Sequence, residues 1–155
     1  MIEVTGNLWE YPADVRVITT NGAIRKDGQC VMGRGCAREA KDRIPGLALT
    51  LGKLINEQGN HVHRLGWEPP EDLGARLYSF PVKHLWHQLA DPVLIVRSSQ
   101  ELVEKTLQGW DKGYSPVIVT PRPGCGNGGL RWDDVHPLIE PILDDRFHII
   151  TFGAK

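Results

Sequence analysis

Apolar residues along the chain follow patterns that predict strands and helices. The run VRVITT is β-branched and almost uninterrupted, which is typical of a strand buried on both faces, so we expect it near the centre of a sheet. Other short stretches are β-branched or alternate between apolar and polar positions, and they predict further strands. These stretches are IEVTGN, HVHRL, ARLYSFPV, VIVT and FHIITF, with the turn-rich GWEPPEDLG between the second and the third.

Longer stretches carry helix-forming residues, or apolar residues three and four positions apart, and predict four helices. They are CAREAKDRI, LALTLGKLINEQG, SSQELVEKTLQGWDKG and RWDDVHPLIEPILDD. The third is predicted to begin with a serine cap, and the fourth to bend or break at its prolines. Because strands alternate with helices, the predicted fold class is α/β, with a mixed or parallel sheet covered on both faces in a single domain over residues 1–155.

Two glycine-rich loops occupy matching positions in this pattern. VRVITT leads into NGAIRKDGQCVMGRG and then a helix, and VIVTP leads into RPGCGNGG and then a helix. We expect both loops at the carboxyl ends of strands, where α/β sheets bind ligands and where bare backbone lets N–H groups approach phosphate oxygens. Two such loops facing one cleft would suit a diphosphate. The alternative, that the glycines only form tight turns, stays open.

Known nucleotide-binding signatures fit this sequence poorly. Gly124, Gly126 and Gly129 match GxGxxG, but only GAK follows the next predicted strand, so the acidic residue expected about 20 positions on for the ribose is missing. GLALTLGK superficially resembles a P-loop, but it has one residue too many and Leu54 in place of Ser or Thr. An ordinary dehydrogenase or nucleotide hydrolase is therefore not indicated.

The composition limits the partners, the compartment and the metal sites that we expect. With 18 basic and 19 acidic residues, the net charge of -1 gives no field that favours a polyanion or an anionic membrane. Three cysteines without a CxxC pair argue against a disulfide framework or zinc site and predict a cytoplasmic setting. The pairs His84 with His87 and His61 with His63 lack a third metal ligand at a recognisable spacing, so we expect no metal. No apolar run approaches the roughly 20 residues of a membrane span.

Three segments together carry a family resemblance. GNLWEYPADVRVITTNG, VMGRGCAREA and TPRPGCGNGGLRW resemble the macrodomain family, ADP-ribose-binding modules with a three-layer α/β/α fold around a central mixed sheet. SFPVKHLW and GCGNGGLRW are similar to one branch of that family, which includes the terminal ADP-ribose protein glycohydrolase and the DNA ADP-ribosyl glycohydrolase antitoxin. The resemblance covers nearly the whole chain.

The resemblance implies a set of ligand-binding residues. Asn7 matches a position where many members have an aspartate for the adenine amino group, and Asn21 matches the asparagine near the distal ribose. Cys36 and Cys125 would be small wall residues rather than nucleophiles. The full implied set is Asn7, Asn21, Met32, Gly33, Gly35, Cys36, Ala37, Gly124, Cys125, Gly126, Asn127, Gly128 and Gly129.

Lys83 is the implied catalytic residue, together with Asn21. Apolar neighbours at Phe80, Leu85 and Trp86 would favour a neutral amine that attacks the anomeric carbon of bound ADP-ribose. From the residues alone, a surface lysine at a strand end stays an open alternative. The human enzyme of this branch has an aspartate where Gly128 stands, so its general acid/base is absent here.

The predicted function is hydrolytic removal of mono-ADP-ribose from modified proteins, with acidic side-chain esters as the expected linkage. We expect a monomer with ADP-ribose as ligand or product and no further cofactor, and an ADP-ribosylated protein as partner. Two alternatives stay open. One is removal of ADP-ribose from thymidine in single-stranded DNA, favoured by SFPVKHLW. The other is a non-catalytic ADP-ribose reader, favoured by the missing aspartate.

Overall fold

The computed structural model describes residues 1–65 and 76–153. Its strands are β1 (Ile2–Thr5), β2 (Val15–Asn21), β3 (Arg76–Lys83), β4 (Ile118–Pro121) and β5 (Phe147–Thr151). Its α-helices are α1 (Gly35–Arg43), α2 (Leu47–Gln58), α3 (Pro92–Thr106) and α4 (Trp132–Ile139), and a short 3₁₀ turn spans Gly126–Gly128. The predicted turn GWEPPEDLG lies outside the described residues.

The five strands form one sheet in the order β1-β5-β4-β2-β3, and all four strand pairings are parallel. β2 lies between β4 and β3, and its first four residues, Val15 to Ile18, are buried. The prediction of a central strand buried on both faces is therefore confirmed. Since parallel strands all point the same way, their carboxyl ends meet at one edge of the sheet.

HVHRL does not form the strand that its alternating pattern predicts. Within the described residues, the antiparallel part of the sheet is one bridge between Arg64 and Tyr78. The N–H of His63 donates to the Ser79 hydroxyl at 3.1 Å rather than to a main-chain carbonyl. Because a side chain takes this donor, the ladder beside β3 is interrupted and the segment stays irregular.

Helices cover both faces of the sheet, as the three-layer fold requires. On one face Val17 is in a buried cluster with Ile95 of α3 and Ile139 of α4. On the other face Ile18 is in a second buried cluster with Leu51 of α2. Successive residues of a strand point to opposite faces, so Val17 and Ile18 belong to different cores. Burying a side chain of this size stabilises the folded state by about 1.5–3 kcal/mol relative to leaving it exposed.

The third helix begins at Pro92, six residues before the start of its predicted stretch at Ser98. Its cap is Asp91, whose carboxylate accepts a hydrogen bond from Val93 N at 2.9 Å, and Pro92 occupies the first helical position. The predicted serine cap is wrong, because Ser98 and Ser99 are buried inside the helix. Their hydroxyls donate to the carbonyls of Pro81 and Ile95.

The fourth helix ends at Ile139, two residues before Pro141, and contains Pro137. The predicted interruption at the prolines is therefore confirmed, and the chain from 140 to 145 turns back toward β5. No helix within residues 1–65 and 76–153 is long and apolar enough to cross a membrane.

Candidate functional site

A cleft of about 630 Å³ opens at the carboxyl ends of β2, β3 and β4. This volume lies in the range of small-molecule sites, roughly 300–1,000 Å³. Both glycine-rich loops face it, as their matching positions after parallel strands predict. The predicted residues that line it are Asn21, Met32, Gly33, Gly35, Cys36, Ala37, Lys83, Gly124, Cys125, Gly126, Asn127 and Gly128.

The first loop ends at the N-terminus of α1, which faces the cleft. Arg34 precedes the helix in an extended conformation and makes no side-chain capping bond, and the first turn carries no acidic residue. The first N–H groups of a helix have no partner within it, and the helix dipole is positive there. This end of α1 is thus suited to an anionic oxygen of a ligand.

The second loop turns tightly through glycines with positive φ angles. Gly124 has a φ of +77°, and a Cβ there would lie 2.6 Å from Ile95 Cδ1. Gly126 has a φ of +70°, with no atom within 4 Å of the position a Cβ would take. Gly124 therefore needs glycine for both backbone and packing, while Gly126 leaves open space above its main chain. The N–H groups that begin the turn, at Gly126 and Asn127, have no partner within it.

The side chain of Asn21 is fixed by two hydrogen bonds to the first loop. Its Nδ2 donates to Val31 O at 3.0 Å, and its Oδ1 accepts from Ala23 N at 2.9 Å. An amide has two N–H donors and two acceptor lone pairs, so one of each remains for a ligand. The residue is thus oriented before any ligand binds.

Lys83 lies at a β-bulge. Thr20 pairs with Pro81 and Asn21 pairs with Lys83, so Val82 is the extra residue of β3. A bulge changes the direction of the side chains that follow it, and here it brings Lys83 level with Asn21. Both residues line the cleft.

The amine of Lys83 donates hydrogen bonds to Trp86 O at 3.2 Å and to Asn127 O at 3.1 Å. These bonds join the end of β3 to the second glycine loop. The apolar surroundings predicted for the amine are only partly formed. Phe80 is fully buried in the core, whereas Leu85 and Trp86 are 43% and 56% exposed.

The cysteines of the cleft fit the role of wall residues. Burial raises the pKa of the Cys36 thiol more than its hydrogen bonds with Thr19 lower it. Burial also raises the pKa of the Cys125 thiol, against the opposing effect of Arg122. A thiol with a raised pKa stays protonated and is a poor nucleophile.

Two predicted residues, Asn7 and Gly129, do not line the cleft. Asn7 Oδ1 accepts a hydrogen bond from Trp9 N at 2.8 Å, within the turn that follows β1. Phe152, which the sequence analysis did not single out, follows β5 directly and is 80% exposed. Thr5 pairs with Thr151, so Asn7 and Phe152 come just after the ends of two neighbouring strands. The pattern FHIITF predicts a strand that includes Phe152, whereas β5 ends at Thr151 and Phe152 is exposed.

The segment between β3 and α3 supplies residues that the sequence analysis did not predict to line the cleft. Trp86, His87, Gln88 and Leu89 line the cleft. The segment is closed at its end, where Asp91 N donates to Val82 O at 2.8 Å. The His84 ring nitrogen lies 2.8 Å from a carboxylate oxygen of Asp91, and this hydrogen bond lowers the pKa of that carboxyl.

Arg34 and Arg122 border the cleft, but only Arg122 has fixed partners among the hydrogen bonds and ring contacts described. It donates to Glu3 Oε1 at 3.2 Å and lies 5.0 Å from the ring centre of Trp132. Trp132 also donates to Glu3, at 2.9 Å, and begins α4.

No group of three His, Cys, Asp or Glu side chains suited to a metal occurs in the described parts of the chain.

No protein-family model matches the sequence, and no curated protein matches it significantly. Solved structures do. The macrodomain of Thermus aquaticus DarG is 24% identical with a TM-score of 0.74, and the match covers 99% of this chain and 97% of that one. The chain has the macrodomain fold. The macrodomain of Mycobacterium tuberculosis DarG is 21% identical with a TM-score of 0.71, covering 99% and 97%.

A third solved structure with this fold is Thermosipho africanus DarTG in complex with ADP-ribose. It is 18% identical with a TM-score of 0.73, and the match covers 98% of this chain but only 42% of that one. The fold predicted from the resemblance of the sequence segments is thereby confirmed.

Proposed function

We propose that the cleft binds ADP-ribose and that the protein hydrolytically removes a single ADP-ribosyl unit from modified proteins. The observation that carries this proposal is the meeting of two glycine loops and the Lys83 amine in one cleft of a macrodomain fold. A solved structure with the same fold holds ADP-ribose.

The strand order supports a single direction for the ligand across the sheet edge. Asn7 and Phe152 follow β1 and β5, the second glycine loop follows β4, Asn21 ends β2 and Lys83 ends β3. Strands lie about 4.8 Å apart, so these five ends span roughly 19 Å. The adenine would stack at Phe152, the diphosphate would lie between the glycine loop and α1, and the distal ribose would meet Asn21 and Lys83.

In this proposal, Lys83 acts as the nucleophile at the distal ribose. The lone pair of its amine nitrogen attacks the anomeric carbon, the bond from that carbon to the acceptor carboxylate breaks, and the carboxylate leaves with the electron pair. The amine loses a proton, and water then hydrolyses the new carbon–nitrogen bond to return Lys83 and free ADP-ribose. The carbonyls of Trp86 and Asn127 orient the amine through hydrogen bonds.

An ester acceptor also fits the glycine at position 128. A carboxylate leaves as a stable anion and does not need to be protonated as it departs. The reaction therefore needs no general acid at Gly128 for the bond-breaking step. The net charge of -1 gives no field that would gather a phosphodiester backbone, which also favours a protein acceptor.

Removal of ADP-ribose from thymidine in single-stranded DNA is the second candidate, and Trp86 is the observation that favours it. Its ring is 56% exposed, and the residue lines the cleft beside Lys83. Exposed aromatic rings stack on nucleic-acid bases, and each stacked base adds about 1–3 kcal/mol to the binding free energy.

The test is release of ADP-ribose from an ester-linked mono-ADP-ribosylated protein and from a modified oligonucleotide. We expect release from the protein, a rate at least about 100-fold lower in Lys83→Ala, and a large loss in Asn21→Ala. Lys53→Ala, at an exposed position of α2, is the matched control and should keep the parent rate. Binding without release would show a reader, and failure to bind ADP-ribose in calorimetry would refute the proposal.

A further inference from the structure

We infer that Asn60 is a positioning residue for the proposed reaction, holding the main chain from which Lys83 projects. This inference rests on the proposed role of Lys83. Asn60 follows α2 in the chain, and its Nδ2 donates a hydrogen bond to Lys83 O at 3.0 Å. Asn60 is not one of the residues that line the cleft. It would therefore act on the chemistry through Lys83 and not through contact with the ligand.

The Asn60 amide is packed against the backbone beside both proposed catalytic residues. Gly22, which follows Asn21, donates its N–H to both Lys83 O at 3.2 Å and His84 O at 3.1 Å. A Cβ on Gly22 would lie 2.8 Å from Asn60 Nδ2. The absence of a side chain at Gly22 thus makes room for the amide that holds Lys83.

The position of Lys83 in the sheet explains why it needs this support. The bulge at Val82 interrupts the regular ladder just before Lys83. Among the described strands β3 is the last in the order, so β2 is its only strand neighbour there. The hydrogen bond from Asn60 therefore adds to the bonds from Gly22 N and fixes the main chain at a point where the strand pairing is irregular.

Asn60 is itself held by a network that leads to α3. Its carbonyl accepts a hydrogen bond from Arg97 Nη2, and Arg97 Nε lies 3.5 Å from Glu101 Oε2. Glu101 also accepts from Val62 N at 2.9 Å and lies 2.8 Å from the His61 ring nitrogen. Burial raises the pKa of Glu101, but these hydrogen bonds outweigh it and hold the pKa below its ordinary value. The carboxylate stays charged and keeps the network closed.

The expected effect is on the chemical step. A catalytic group misplaced by about 1 Å can lower a rate by about 100-fold, while contacts that bind the ligand stay intact. Asn60→Asp keeps the size of the side chain but sets a carboxylate oxygen against the Lys83 carbonyl, so the two repel. Asn56→Asp makes the same exchange at an exposed position of α2 and is the matched control.

Two measurements test the inference. We expect kcat for ADP-ribose release to fall about 10-fold or more in Asn60→Asp, with the Kd for ADP-ribose unchanged and Asn56→Asp like the parent. The Tm of Asn60→Asp should fall by only about 2–4 °C, as expected for the loss of one hydrogen bond. Acylation of lysines, followed by mass spectrometry, reads the same effect without turnover. Lys83 should react several-fold faster in Asn60→Asp because its amine is no longer held to Trp86 O and Asn127 O, and Lys53 should not change.

An unchanged kcat or an unchanged acylation rate of Lys83 would overturn the inference. So would a loss of ADP-ribose affinity equal to the loss of kcat, which would mark Asn60 as a structural residue. If the parent releases no ADP-ribose, the proposed function fails, and the acylation rates alone decide the role of Asn60. Should Asn60→Asp not fold, Asn60→Ala removes the donor without adding a charge and is measured in the same way.

Discussion

The N–H of Ala90 donates a hydrogen bond to Gly128 O at 2.9 Å, and the Ala90 methyl lies 3.0 Å from where a Cβ on Gly128 would be. This contact joins the segment before α3 to the second glycine loop. Any side chain at position 128, such as the aspartate that the resemblance implies for the human enzyme, would therefore meet the Ala90 methyl group. Ala90 is buried, so it has little room to move away.

Adding a side chain at Gly128 should therefore destabilise the protein and not improve catalysis. We expect Gly128→Ala to lower the free energy of unfolding by about 1–3 kcal/mol, because the methyl group is forced against Ala90. Gly33→Ala is the matched control, since nothing lies within 4 Å of its added methyl group. Denaturant unfolding measures both. Gly128→Asp should release ADP-ribose no faster than the parent, and a stable, faster variant would contradict this account.

The site could be predicted from sequence where it is built from local patterns at strand ends. VRVITT and VIVTP each run into a glycine loop, and parallel strands bring their carboxyl ends to one edge. Asn21 and the two loops therefore come together without any knowledge of distant contacts. Lys83 required the family resemblance, because a bulge at Val82 sets its direction and no spacing rule reveals a bulge.

The rest of the site depends on contacts between residues far apart in sequence. The segment from Trp86 to Leu89 lines the cleft because Ala90 N donates to Gly128 O and the Lys83 amine donates to Asn127 O, and neither contact leaves a periodic pattern in the sequence. The local pattern also predicts the wrong start for α3, because a distant contact decides it. Ser98 has the side chain of a cap, but burial against β3 gives its hydroxyl another acceptor at Pro81 O.

His63 should make stability depend on pH below neutrality. Its residue surface is 4% exposed, and burial lowers its pKa more than the nearby Gly59 carbonyl raises it, while Lys105 and His61 lower it further. The folded protein thus keeps His63 neutral where the unfolded chain, with an ordinary pKa near 6.5, binds a proton. The free energy of unfolding should be steady above about pH 7 and fall as the pH drops below 6.5.

Unfolding in denaturant at several pH values from 7.5 to 5.5, a range chosen around the ordinary histidine pKa of about 6.5, measures this effect. His63→Gln should show a smaller fall in stability over that range than the parent. The exposed His87 gives a matched control, and His87→Gln should fall as the parent does. Equal slopes for His63→Gln and the parent would remove His63 as the cause.

Phe152 should contribute to ADP-ribose affinity without contributing to stability. Its ring is 80% exposed beyond β5, next to the turn that contains Asn7, and an exposed ring gains most when a flat base covers it. Stacking on a base is worth about 1–3 kcal/mol, so Phe152→Ala should weaken ADP-ribose binding by roughly 5- to 150-fold in calorimetry. The Tm should stay unchanged. Val93→Ala truncates a side chain of similar exposure, 77%, on α3 and should bind like the parent.

The proposed direction of the ligand, with adenine at β5 and ribose at β3, gives a second test of Phe152. Phe152→Ala should weaken binding of ADP-ribose far more than binding of ribose 5-phosphate, which has no adenine. Equal losses of affinity for both ligands would place the adenine elsewhere on the sheet edge.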